Sequence, residues 1–216
     1  MPVKKKEAEG FVISIPVINE QRITVKIIGE TPLVVHNWSQ KAKQQMLDVM
    51  MQKAKSKKHD VKNPVEDFIE SLYWLDGKPA EYTEDAYASA IQNGARFGFP
   101  TTAFKAAAVS AGYRSGLTKD KVSTNGAFHI KGDMVEIVGT PVIREDMVRV
   151  SNGAPDIRYR GMFPAWEAEI ELTYNANVIS AEQLVNLINY GGYACGIGEW
   201  RPEKGGDWGR YRVVTA

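Results

Sequence analysis

Cysteine is almost missing from this chain: Cys195 is the single one among 216 residues. No disulfide can form within the chain, and a reducing, cytoplasmic setting is expected. Missing too are an apolar run long enough to cross a bilayer and a signal-like apolar core behind Met1. Charge of either sign is not in excess. The net value of +1 leaves no global field to draw in a polyanion, so a basic site has to be a local patch. Histidine is scarce, and His36, His59 and His129 stand apart with no second ligand at metal spacing, so no metal is expected. The acidic pairs Glu66-Asp67, Glu84-Asp85 and Glu145-Asp146 are adjacent residues. They point in different directions on a helix or strand and make neither a metal site nor a glycosidase site. No P-loop or dinucleotide fingerprint is present, because Gly196-Ile197-Gly198 has the wrong spacing and no helix after it. No cofactor is expected and catalysis is not indicated. Repeats, low-complexity tracts and linkers long enough to separate domains are also lacking. What remains is an ordinary globular composition, 44% hydrophobic and 25% charged, long enough for one large domain or a domain with a sizeable insertion.

Hydrophobic periodicity then outlines the elements. Phe11 to Ile18 and Gln21 to Ile28 read as strands, the second alternating Ile23, Val25 and Ile27 with Arg22, Thr24 and Lys26. Thr31 to His36 continues as an extended segment. Ser39 is the expected N-cap of a helix reaching about Lys58, with Ala42, Met46, Val49, Met50 and Ala54 on one face. Its end carries Lys53, Lys55, Lys57 and Lys58, which complement the helix dipole as well as they would hold phosphate. Further helices are expected over Val65 to Leu75, Thr83 to about Arg96 and Ala103 to about Ser115, with Phe97 to Thr102 as a break. Lys105 sits in a first helical turn, where a cation opposes the dipole unless an anion is near. Ala127 to Ile130, Met134 to Val138, Pro141 to Ile143 and Met147 to Val150 read as strands. A polar turn, Ser151 to Asp156, then tips a hairpin flanked by Arg144, Arg149, Arg158 and Arg160. Trp166 to Tyr174 alternates cleanly, Ser180 caps a helix over Ala181 to Tyr190, and Tyr211 to Val214 is a last strand. This order suggests an α+β fold with helices on one face of an antiparallel sheet.

The segment Gly191 to Arg212 is the densest in chemistry, with seven glycines, three arginines, Trp200, Trp208, Tyr193 and Tyr211. It reads as a glycine-rich loop. Glycine lets another chain approach closely, arginine supplies a fork of phosphate donors, and an indole is a face on which a base can stack. A hairpin whose tryptophans merely cover a core edge is the competing reading. Cys195 in this setting is expected to be a small packing residue.

Three segments carry a family resemblance. They are Ile27-Ile28-Gly29-Glu30-Thr31-Pro32-Leu33-Val34, Phe99-Pro100-Thr101-Thr102-Ala103-Phe104-Lys105, and Gly196-Ile197-Gly198-Glu199-Trp200-Arg201 through Gly206-Asp207-Trp208-Gly209-Arg210. In this order they resemble the RAMP superfamily, RRM-like proteins that include the backbone subunits of CRISPR effector complexes. Thr101-Thr102 in place of a Gly-Ser turn, and tryptophans in the glycine loop, depart from that pattern and point to a standalone relative from a phage or mobile element. The resemblance implies a single RRM-like (ferredoxin-like) domain, with a helical insertion over about 39–98 and a β-hairpin thumb within about 120–160. It also implies side-by-side assembly, as a homo-oligomer or filament, along one nucleic-acid strand. Carried over by position, Lys105 at the helix start, with Arg201, Lys204, Arg210 and Arg212 from the loop, would face the backbone.

The residues and the resemblance together lead to a non-enzymatic, largely sequence-independent binder of single-stranded DNA or RNA, in replication, recombination or protection. Its expected contacts are Lys105, Arg114, Arg158, Arg160, Trp200, Arg201, Lys204, Trp208, Arg210, Tyr211 and Arg212. The alternatives are a RAMP-type RNA endonuclease using His36, and a structural assembly protein of a virion.

Overall fold

The computed structural model describes residues 17–51, 62–149, 153 and 155–214. The first expected strand lies almost wholly outside them, as do Lys53, Lys55, Lys57, Lys58 and His59. In chain order the first elements are β1 (Glu20–Gly29), β2 (Leu33–Val35), α1 (Gln40–Met50), α2 (Pro64–Ser71), β3 (Trp74–Asp76), α3 (Glu84–Gln92), β4 (Arg96–Pro100) and α4 (Thr101–Arg114). Then follow α5 (Lys121–Ala127), β5 (Phe128–Ile130), β6 (Met134–Ile137), β7 (Val142–Arg149), β8 (Pro155–Phe163), β9 (Glu167–Asn175), α6 (Ala181–Ala194) and β10 (Tyr211–Val213).

One antiparallel sheet runs β10-β1-β9-β5. With α4 leading from β1 toward β5 and α6 joining β9 to β10, this is a βαββαβ unit. Its last strand lies beside the first and its third lies between the first and second, the ferredoxin-like arrangement. The alternation in β1 and β9 decides which face is covered. Val25, Ile27, Ala168, Ile170, Leu172 and Tyr174 are buried. On the other face Lys26 meets Glu167 at 3.0 Å and Lys131 meets Glu171 at 2.6 Å, so lysines from neighbouring chain segments answer the acidic row of β9. Ser180 caps α6 in a reciprocal box with Gln183.

Two insertions build two more sheets. β2 pairs with β8, which pairs with β7, and β4 lies between β3 and β6. Each added sheet therefore takes strands from both inserted stretches, and the helices between 39 and 98 are interleaved with β3 and β4. The hairpin is β7–β8, one continuous pairing from Val142 opposite Met162 to Arg149 opposite Pro155.

Several elements differ from their sequence signals. Phe97 to Pro100 is strand β4, with Phe97 and Phe99 buried, where glycine and proline suggested a break. The chain leaves α2 at Leu72, earlier than its pattern implies, because Trp74 packs in β3 against Phe97 with ring centroids 4.8 Å apart. Helix α5 is weak in intrinsic propensity and is held by Asp120, whose carboxylate accepts from Ser123 N at 2.7 Å. Met46, Val49 and Met50 of α1, expected to share one face of the helix, are exposed. Helical spacing reveals a stripe but not whether anything covers it.

Candidate functional site

The glycine-rich stretch divides into a helix and a loop. Gly191, Gly192 and Tyr193 belong to α6 rather than to a loop. A Cβ on Gly191 would stand 2.8 Å from Ala108 N, and one on Gly192 would stand 2.1 Å from Tyr211 O. Their absence lets α6 lie directly on alanine-rich α4 and on β10. Beyond Cys195, which is buried and has its pKa raised by that burial, the loop closes on itself. Ile197 N donates to Gly209 O (3.0 Å), and Trp208 N to Trp200 O (3.1 Å). It also laces to the β1–β2 turn, through Glu199 N to Val34 O (2.8 Å) and Gly209 N to Pro32 O (2.8 Å). The chain approaching these glycines is the protein's own backbone, which corrects the expectation that they leave room for a ligand.

The same lacing brings the three resemblance segments together. The β1–β2 segment and the loop are hydrogen-bonded. The first turns of α4 reach the loop through Ala103 and Ala107, which line a cleft of ≈ 150 Å³ with His36, Tyr73, Gly198, Glu199 and Arg201.

The sequence-derived contacts separate into groups. Arg201 is drawn inward: Nη1 donates to Gly198 O (3.0 Å) and Nη2 to Glu203 (3.2 Å). Arg114 reaches the same carboxylate at 3.1 Å, and Ser110 Oγ donates to it at 3.2 Å. Burial alone would raise the Glu203 pKa, but hydrogen bonds from Arg201 and Ser110 and the two guanidinium charges hold it below the usual range. Arg210 Nε lies 3.1 Å from Asp207, without a hydrogen bond, and Arg212 lies 3.9 Å from Glu30. Lys204 is exposed. Most of the loop's positive charge is thus answered locally, which the residue pattern did not reveal.

Lys105 does not join this loop. It faces β5, with Nζ 3.5 Å from His129 Nδ1 and 5.4 Å from the Phe128 ring, and burial lowers its pKa. Tyr211 is a correction as well. It is fully buried against Phe104 and Trp166, its phenol pKa is raised by burial, and its hydroxyl has no hydrogen-bond partner among the described residues. Alternation in a strand put Tyr211 inside and Arg212 outside, so the ring is core rather than contact. Tyr211→Phe is accordingly expected to leave oligonucleotide affinity unchanged and to keep or raise stability, by up to about 1 kcal/mol, since it deletes a buried unsatisfied hydroxyl. Thermal melts read this, and a clear loss of stability would mean that the hydroxyl has a partner after all.

The hairpin supplies the centre. Arg144 on β7 and Arg160 on β8 are directly opposite in register. Two like charges in that position repel, and Asp146 stands between them, 2.9 Å from Arg144 Nε and 3.1 Å from Arg160 Nη1. Asp146 and Arg160 are both buried. Each guanidinium lies over an indole, Arg144 at 4.7 Å from the Trp208 ring and Arg160 at 6.0 Å from that of Trp200. Arg160 Nε also donates to His36 Nδ1 at 2.9 Å. A guanidinium N–H can only donate, so Nδ1 is the acceptor and the ring proton sits on Nε2; burial first, and the Arg160 charge second, lower the His36 pKa. Trp200 itself has φ 55, a left-handed conformation rare for a bulky residue, and the residue is 42% exposed.

His36 also lines a second cleft, of ≈ 410 Å³, with Trp38, Lys62, Arg158 and Tyr159. Arg158 contacts Asp156 at 3.6 Å. A hollow of similar size between α5 and α6, lined by Leu117, Ile179 and Leu187, contains none of the expected contacts. Among the described residues no cluster of His, Cys, Asp and Glu could hold a metal ion, and no helix is long and apolar enough to cross a membrane. Asp146 and Tyr73 were missed as site residues. The first read as one half of an adjacent acidic pair, and the second as one of several aromatics at helical spacing.

Comparison with protein-family models gives no match, and neither does comparison with curated proteins. Among solved structures the chain is similar to that described as the crystal structure of Cmr6 from Pyrococcus furiosus. Identity is 12%, 92% of this chain and 100% of that chain are covered, and the TM-score is 0.35. The ferredoxin-like assignment therefore rests on strand order and helix placement in this chain itself.

Proposed function

We propose that this protein is a RAMP-related binder of single-stranded nucleic acid that does not cleave it. The observation that carries this reading is the Trp200 platform. A half-exposed tryptophan is held in a strained backbone conformation above Arg160, whose position is set by His36 and Asp146. Stacking on such a face is tolerant of sequence and contributes about 1–3 kcal/mol per base. Arg144 and Arg160 share one carboxylate, so a positive charge is left over beside that face. The second and third resemblance segments line the cleft next to His36, and the first is hydrogen-bonded to the third, which supports the family relation.

The same geometry argues against His36 as a catalyst. The lone pair a general base would use is occupied at Nδ1 by Arg160, and a lowered pKa disfavours the protonated ring a general acid needs. Several copies lying side by side on a long strand belong to the same reading, and β7, which ends its sheet among the described residues and has Ile143 and Met147 exposed, supports it.

The test is fluorescence anisotropy with labelled single-stranded DNA, single-stranded RNA and duplex, at low and high salt. Salt-sensitive binding of single strands is expected, with no cleavage of the RNA and a loss of about 5- to 150-fold on Trp200→Ala. No binding at low salt would remove the proposal.

A further inference from the structure

Three carboxylates around His36 are each shared by two cations. Asp156 takes Lys62 and Arg158, Asp146 takes Arg144 and Arg160, and Glu203 takes Arg114 and Arg201. Each group leaves one positive charge over. On the outer face of the four-stranded sheet and its neighbour the pattern differs, since Lys26–Glu167, Arg96–Glu136 and Lys131–Glu171 are one to one. On a chain whose net charge is +1, three such groups give a local positive bias.

They are also arranged in sequence. The Asp156 group lines the larger cleft beside Trp38, Glu203 and Arg201 line the smaller one beside α4, and His36 lines both. The Asp146 group lies at that junction, because Arg160 is bonded to His36. Asp67 in the larger cleft and Glu199 in the smaller one offset part of the surplus. Trp38, in the larger cleft with His36, is 58% exposed, and Trp200, over the Arg160 that bonds His36, is exposed as well. A bridging carboxylate holds its cations in place before any ligand arrives, and an arginine with five N–H donors keeps some for a phosphate after one such contact.

We infer that the strand crosses His36 from the Trp38 cleft to the α4 cleft, setting one phosphate on each of the three cation pairs and stacking bases on Trp38 as well as Trp200. This rests on the binding reading above and adds to it a path, a second stacking residue and a count of phosphates.

The experiment is a salt titration of binding to a short labelled single-stranded oligonucleotide, with melting curves to confirm folding. Three contacts predict a slope of log K against log salt of about −2 for the wild type. Arg158→Gln is expected to flatten it by about 0.7. Trp38→Ala is expected to weaken binding about 5- to 150-fold with the slope unchanged. Lys131→Gln, in a one-to-one pair on the other face, should change neither. Wild-type binding that depends on Trp200 but is indifferent to both Arg158→Gln and Trp38→Ala overturns the path and leaves the binding reading standing. Absence of wild-type binding overturns both.

Discussion

Asp146→Asn is expected to destabilise the protein by about 3–5 kcal/mol, the range for breaking a buried ion pair from one side. The physical reason is the register of the hairpin. Arg144 and Arg160 face one another across β7 and β8, and Asp146 neutralises one of the two charges. With the carboxylate gone, a guanidinium only 5% exposed has lost its buried counter-charge, and the Asn amide and His36 that remain beside it can accept hydrogen bonds but carry no negative charge. For a chain of this size the corresponding fall in melting temperature is roughly 6–20 °C. Urea unfolding at neutral pH measures it directly. A loss below about 1 kcal/mol, the ceiling for exposed pairs, would show that water reaches the two guanidiniums and that the cluster is not a buried one.

The second large effect concerns two helical glycines with opposite expectations. Gly192→Ala gains up to about 1 kcal/mol of helix propensity. It also drives a Cβ to 2.1 Å from the Tyr211 carbonyl oxygen and 2.5 Å from that residue's ring. That oxygen belongs to β10, whose position is tied to β1 by Ile28 opposite Arg212, so it cannot simply turn aside. Overpacking of this kind costs about 1–3 kcal/mol and sometimes more, and a net loss of about 2 kcal/mol is expected. At Gly126 in α5 a Cβ meets nothing within 4 Å, and Gly126→Ala should stabilise by about 0.5–1 kcal/mol. Chemical denaturation of the two variants side by side reads the contrast, and two changes of the same sign would refute the packing argument.

The residues that placed themselves correctly did so through local rules. Val25 and Ile27 in β1, Ala168 to Leu172 in β9, and the Ser180–Gln183 box of α6 follow from alternation and capping, which neighbours in sequence enforce. The glycine stretch was misjudged because a helical glycine and a loop glycine look alike until the surface opposite is known. For Gly191 that surface is Ala108, a residue 83 positions away. The candidate site was half legible. Arg144, Arg158, Arg160, Trp200 and Trp208 stood out by type, while Lys105 and Tyr211 stood out equally and sit elsewhere, one facing β5 and the other in the core.

Strand and helix periods, the caps, the α+β class and the supply of arginine and tryptophan all reside in short stretches, because each depends on chemistry within a few residues. Which cations remain uncompensated does not. Arg201 meets Glu203 through a tight turn, Arg114 reaches Glu203 across the fold, and Arg160 reaches Asp146 and His36 by way of a hairpin and a separate strand end. Electrostatic pairing falls off over a few ångströms whatever the separation along the chain. Only the folded arrangement could therefore assign each charge its partner and leave a positive surplus around His36.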